Sequence, residues 1–204
     1  MASHRNSPPL TIITQLLSIS FFLLLHSPSP ATALPATNND APSSLVNKVC
    51  KKTTLCSYND CVAALALDPK SSSATGAKAL AKIALKLAVS NSTSSEKYID
   101  EMAKNEGSSP GLKSALEYCV LQYQSVVLLS FRSALNEVDD DPLTANHDAK
   151  FASDGAYYCG EKLKSGGFQS HDVDSIRTRN NYVTIYSDIG FAVKVLTDLQ
   201  FLLF

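Results

Sequence analysis

The chain has 204 residues, with 18 Lys and Arg against 19 Asp and Glu, a net charge of −1 at neutral pH. That balance argues against nucleic acid or any polyanionic surface as a partner. The length suits one domain of ordinary size with a real core.

The first segment reads as something to be removed. Arg5 gives a basic start, Leu10 to Leu25 is apolar except for Ser, Thr and Gln, and Ala31-Thr32-Ala33 is a small-x-small cleavage site. Residues 1–33 therefore read as a secretory signal peptide. A membrane anchor needs about 18 to 20 apolar residues. No such run recurs downstream, so the expectation after cleavage is a secreted chain with no membrane association. Only Arg5 among the charged residues is lost, leaving 17 basic against 19 acidic groups, a net −2.

Residues 34–43, "LPATNNDAPS", have nothing to bury and read as a flexible leader. From residue 44 to 204 the apolar period is helical nearly throughout. "LVNKVC" and "NDCVAALAL" are two short amphipathic pieces around a polar turn, closed by Asp68-Pro69. A long helix is predicted from about Ser73 to near Gly107, with Leu80, Ala84, Leu87, Tyr98 and Met102 at helical spacing. Ser109-Pro110 is an N-cap followed by a first-turn proline. It opens a helix with Leu112, Leu116, Cys119, Tyr123 and Val126 on one stripe, running to about Val138. Asp141-Pro142 repeats the signal, and Ala145, Ala149, Ala152, Ala156, Cys159 and Leu163 then alternate steps of four and three, a bundle seam of small residues. Gly166-Gly167 stops that helix. The last helix, from about Val173, presents Tyr182, Ile185, Ile189, Val193, Leu196 and Leu203. The expected fold is all-α, an antiparallel four-helix bundle preceded by an N-terminal helical hairpin.

Little here carries catalytic chemistry. After cleavage the histidines are His147 and His171, neither with a second His or a Cys at metal-ligand spacing, so no metal or cofactor is expected. Asp139-Asp140-Asp141 sits at a helix start, where carboxylates favour the dipole. His147 reads as a solvated residue. No nucleophile elbow or phosphate loop appears, and nothing assembles a nucleophile, a base and an oxyanion donor. A binding protein is expected rather than an enzyme. An apolar-ligand carrier using the Ala-lined seam and the apolar last helix is one form it could take.

Five cysteines, at 50, 56, 61, 119 and 159, lie after the cleavage site and would meet an oxidising compartment. Two bridges among five thiols allow about 15 arrangements. The stretches "VNKVCKKTTLCSYNDCVAALALDPKSSS", "LKSALEYCVLQYQSV" and "DGAYYC" resemble the plant invertase/pectin methylesterase inhibitor domain over Leu45 to about Leu203. The resemblance implies a four-helix bundle behind a hairpin, and two disulfides, Cys50 to Cys61 and Cys119 to Cys159, with Cys56 a half-buried free thiol. On loop-closure entropy those bridges stabilise by about 3 and 4 kcal/mol. It also implies a non-catalytic inhibitor of the apoplast and cell wall, or of the vacuole, whose partner is pectin methylesterase or an acid invertase.

In the invertase-inhibiting branch of that family, Pro-Lys-Phe begins the helix that ends in the fourth Cys. Here the place eighteen residues ahead of Cys159 is Asp141-Pro142, followed by Leu143 and Thr144. Lys150-Phe151 comes about two turns later, between core positions Ala149 and Ala152, so it reads as a helix turn with Phe151 and Tyr158 covering the edge of the core. That favours pectin methylesterase over invertase. The residues that touch the enzyme are not legible from the sequence.

Asn91-Ser92-Thr93 is the one glycosylation sequon after the cleavage site. At seven residues from both Ala84 and Tyr98, Asn91 points to the core stripe, so either the sequon is unused, the reading the spacing favours, or the helix breaks near Ser90 to Ser95. Peptide mapping of alkylated, unreduced protein is expected to give Cys50 with Cys61, Cys119 with Cys159 and a single alkylated residue, Cys56. A Cys50 to Cys56 bridge would overturn the hairpin register.

Overall fold

The structure, a computed structural model, describes residues 42–105 and 107–201, with side chains through 193. The segments read as signal peptide and leader lie outside the described residues except for Pro42 and Ser43, and the Leu196 and Leu203 side chains lie outside them as well.

The hairpin comes first. Helix α1 (Ser44–Cys50) begins where Ser43 accepts the Val46 N–H at 3.3 Å, and α2 (Tyr58–Ala66) where Ser57 accepts the Asp60 N–H at 3.1 Å. Cys50 and Cys61 are joined by a disulfide. Asp68 then caps a single 3₁₀ turn, Pro69–Ser71. The next helix starts four residues later than the predicted Ser73. The Ser72 and Ser73 hydroxyls bond back to the carbonyls of Pro69 and Lys70, and such local bonds compete with helix.

Helix α3 (Ala77–Ala103) runs without a break. Its buried face is Leu80, Ala81, Ala84, Leu85 and Ala88, then Ser92, Ser95, Ile99 and Ala103. Leu87, Tyr98 and Met102, placed on the stripe by spacing, are only half-buried. The serine-rich middle stays helical, with the Thr93 and Ser95 hydroxyls donating to the carbonyls four residues back, each at 2.8 Å. This overturns the predicted alternative of a break near Ser90 to Ser95.

The second bundle rod is α4 (Pro110–Gln122), a π-helical turn at Tyr123–Val127, and α5 (Leu128–Glu137). Ser109 caps it as read. The π turn inserts a residue, so burial passes from Tyr123 to Val127 and Phe131, and Val126 is displaced from the predicted stripe. Helix α6 (Pro142–Ser165) starts at the Asp141 cap and buries all six predicted seam residues. It ends ahead of Gly167, whose φ of +68° suits glycine. Ser170 accepts the Val173 N–H, and α7 (His171–Phe201) begins there, two residues before the predicted Val173.

The rod packs on α3 and α6, α6 packs on α7, and α7 packs on α3, which closes a four-helix bundle with the hairpin seated on α7. Small residues set its spacing. A Cβ at Gly155 of α6 would meet Val127 Cγ2 at 2.8 Å and the Gln122 carbonyl at 3.1 Å. The Cys119–Cys159 disulfide joins the rod to α6 close by.

One buried carboxylate holds the hairpin to the bundle. Asp188 of α7 is 2 % exposed, and its Oδ2 accepts the N–H groups of Thr54, Leu55 and Cys56 at 2.8, 2.6 and 3.0 Å. The Thr54 hydroxyl donates to Oδ1 at 3.3 Å. Replacing Asp188 with Ala removes the acceptor of three amides at once and is expected to lower stability by about 2–4 kcal/mol in denaturant melts. Amide exchange should accelerate first at residues 54–56, and a melt within about 0.5 kcal/mol of the parent would refute the tether.

Candidate functional site

The residues singled out from the sequence do not converge on one place. His147 is exposed on α6, and the His171 side chain is 95 % exposed beside Asp172. Asp139 reaches Lys82 at 2.5 Å and Lys78 at 3.6 Å, and the Lys82 hydrogen bond holds its carboxyl below the usual range. Asp141 is held low by the Thr144 hydroxyl and the backbone amides it caps. These two carboxylates of the acidic run tie α3 to the end of the rod and cap α6. Among the described residues no cluster of His, Cys, Asp and Glu could hold a metal ion.

Cys56 is half-buried and unbridged, and its amide is one of the three on Asp188. Burial pushes its thiol up to about 11, against a lowering hydrogen bond from Thr53, with the nearby Asp188 charge adding to the rise. Since thiolate is the nucleophile, Cys56 is held in its unreactive form.

Lys150 and Phe151 lie inside α6 rather than at its start. The Lys150 ammonium sits 5.6 Å from the Phe191 ring centroid, across the gap to α7. Phe151 is 55 % exposed and Tyr158 51 %. Their rings therefore do not cover the edge of the core as the spacing suggested. Gly155 brings α6 so close to the rod that no room is left beneath them.

That close approach places an apolar surface. Phe151 lies four residues before Gly155 and Tyr158 three after it, so both share the stripe of α6 that leans toward the rod. On the rod, Val126 faces Gly155, and Leu129, three residues on, is 63 % exposed. Leu121 is exposed on the same rod, and Lys162 extends the stripe by lying over the Tyr118 ring at 5.8 Å. Tyr157, on the opposite flank of α6, stands edge-on to Tyr158 with centroids 5.6 Å apart. Large rings on a rigid helix lose few rotamers when covered, which makes such a surface suited to protein docking. Sequence spacing singled out Phe151 and Tyr158 but not Leu121, which lies off the predicted stripe, nor Leu129, which follows the π turn that re-aims the rod.

Asn91 lies at the middle of α3 and is half-buried rather than part of the core; its neighbours Ser92 and Ser95 are the buried ones.

Residues 44–193 match a family model described as plant invertase/pectin methylesterase inhibitor. Among solved structures, mutant form A of a pectin methylesterase inhibitor from Arabidopsis is 22% identical, with a TM-score of 0.63 over 74% of this chain and 95% of that one. A pectin methylesterase inhibitor from Arabidopsis thaliana is 21% identical, with a TM-score of 0.53 over 72% of this chain and 93% of that one. At those identities the two structures speak for the fold. No curated protein matches the chain.

Exposure on α6 changes what truncation should cost. Lys150→Ala and Phe151→Ala are each expected to move stability by less than about 1 kcal/mol, read as melting temperature. A larger loss for Phe151→Ala would put its ring back into the core.

Proposed function

The chain belongs to the plant invertase/pectin methylesterase inhibitor family, and on that premise we propose that it is a secreted, non-catalytic inhibitor that covers the cleft of pectin methylesterase with the outer face of α6 and the rod. The exposed stripe of Phe151, Tyr158 and Leu129 carries this reading. A bundle clamped by a disulfide and by small residues presents those side chains with little freedom left to lose, so their burial goes largely into affinity. Inhibition follows from occlusion, with no group on this chain needed to react.

Pectin methylesterase is preferred to acid invertase because Leu143 and Thr144 follow Asp141-Pro142 where the invertase-directed sequence would have Lys and Phe. The one Lys-Phe pair nearby is spent differently, with Lys150 laid over Phe191. The apoplast is the proposed location, reached through residues 1–33 as signal peptide, with 34–43 a leader ahead of the domain. No described helix is long and apolar enough to cross a membrane.

A carrier of a small apolar ligand is the second reading, favoured by a cavity of about 210 Å³ among Ala81, Leu85, Val138, Ala145, Ala149 and Val193. Displacement of an apolar dye by fatty acids would support it.

Purified mature protein should lower pectin methylesterase activity in a dose-dependent way at mildly acidic pH and leave sucrose cleavage unchanged. Phe151→Ala and Tyr158→Ala should each weaken inhibition at least about tenfold at an unchanged melting temperature, while Lys150→Ala does little. Loss of invertase inhibition with Lys150→Ala would transfer the assignment to invertase, and no effect on either enzyme would overturn the inhibitor reading.

A further inference from the structure

Between the middle of α3 and the first turns of α7 lies an open cleft of about 340 Å³, lined by Asn91, Ser175, Thr178, Arg179 and Tyr182. One polar atom of its lining lacks a partner. Asn91 Oδ1 is enclosed with no hydrogen bond. Folded proteins pair nearly all such atoms, so this one at the edge of the cleft points to a ligand. Arg179 is fixed at the cleft wall, 4.2 Å from the Tyr98 ring centroid and reaching Ser95 Oγ at 3.5 Å. Ser175 and Thr178 donate their hydroxyl protons to the carbonyls of His171 and Asp174, so their oxygens are left to accept from a ligand.

We propose that Asn91 carries an N-linked glycan whose first N-acetylhexosamine seats in this cleft. The sequon Asn91-Ser92-Thr93 and the cleft are independent observations that meet at one carboxamide. The volume is at the lower end of the roughly 300–1,000 Å³ that encloses a small ligand. A sugar ring offers hydroxyl donors to the Ser175 and Thr178 oxygens, acceptors to Arg179, and a C–H face to the Tyr182 ring. An acyl chain would leave all of these polar groups unpaired.

The transfer needs a lipid-linked diphospho-oligosaccharide as co-substrate, so the proposal rests on the secretory route inferred above. Asn91 Nδ2 attacks the anomeric carbon, a C–N bond forms as the C–O bond to phosphate breaks, the Nδ2 proton passes to the transferase base, and the lipid diphosphate leaves. It precedes folding. In the finished helix the Thr93 hydroxyl is committed to the Val89 carbonyl at 2.8 Å and cannot assist at Asn91. Winding of α3 then carries the first sugar against α7.

The test is the full chain expressed in plant cells and recovered from the extracellular fluid. Intact mass should fall by one N-glycan on treatment with a peptide:N-glycosidase active on plant glycans, and Asn91→Gln or Thr93→Ala should abolish the change. Release from native protein should be at least tenfold slower than from unfolded protein, and Thr178→Val or Arg179→Ala should narrow that gap. Secreted protein with a bare Asn91 overturns the proposal and leaves the inhibitor reading intact, whereas equal release from native and unfolded protein overturns the seat. Protein that stays in the cell with a bare Asn91 defeats the glycan and the secretory assignment together.

Discussion

Asp188 is a carboxylate buried in the helix that closes the bundle, and its partners are three consecutive amides of the loop joining the two hairpin helices. Each side of that contact would be costly alone, since a buried carboxylate needs donors and a tight loop has amides that no regular structure can use. The Cys50–Cys61 disulfide makes the hairpin a unit but does not attach it to anything. Attachment comes from Asp188, from Val46 and Val49 buried in the common core, and from the Tyr186 hydroxyl, which donates to the Ala64 carbonyl at 3.5 Å. The bonds to Asp188 also set the position of Cys56, whose amide is one of the three.

The bundle's remaining order follows from residue size. Alanines along α6 let it approach both neighbours, and Ser187 and Asn146 tie α6 to α7 through backbone carbonyls. With little volume between the helices, the larger rings of α6 have nowhere to go but outward. On α6, the alanines turned inward and the Phe and Tyr rings turned outward are two results of one spacing.

Much of this was legible in the sequence where a local chemical signal exists. Ser109-Pro110, Asp141-Pro142 and Gly166-Gly167 mark helix ends through capping and backbone preference, which depend on adjacent residues alone, and the Ala seam needs only its period. What escaped depends on distant partners. Asp188 reads as an ordinary charge between Ile185 and Ile189, although its place on their buried side was a signal that something must accept it. Asn91 was assigned to the core by counting seven residues from Ala84 and from Tyr98, of which Ala84 is buried and Tyr98 only half-buried. Phe151 and Tyr158 were placed on the correct stripe, but their exposure depends on how near the rod comes, and Gly155 decides that.

The π-helical turn at Tyr123–Val127 makes the rod sensitive to chain length in a way a plain α-helix is not. Removing one residue from Gln124 to Val126 would restore an uninterrupted α-helix at the cost of turning everything before it by roughly 100° relative to everything after it. Phe131 and Ala134 could stay in place only if Leu116 and Cys119 swung away from α6, and Cys119 would then face away from Cys159. The extra residue acts as a phase shifter, letting one helix turn its disulfide inward before the turn and bury Phe131 after it.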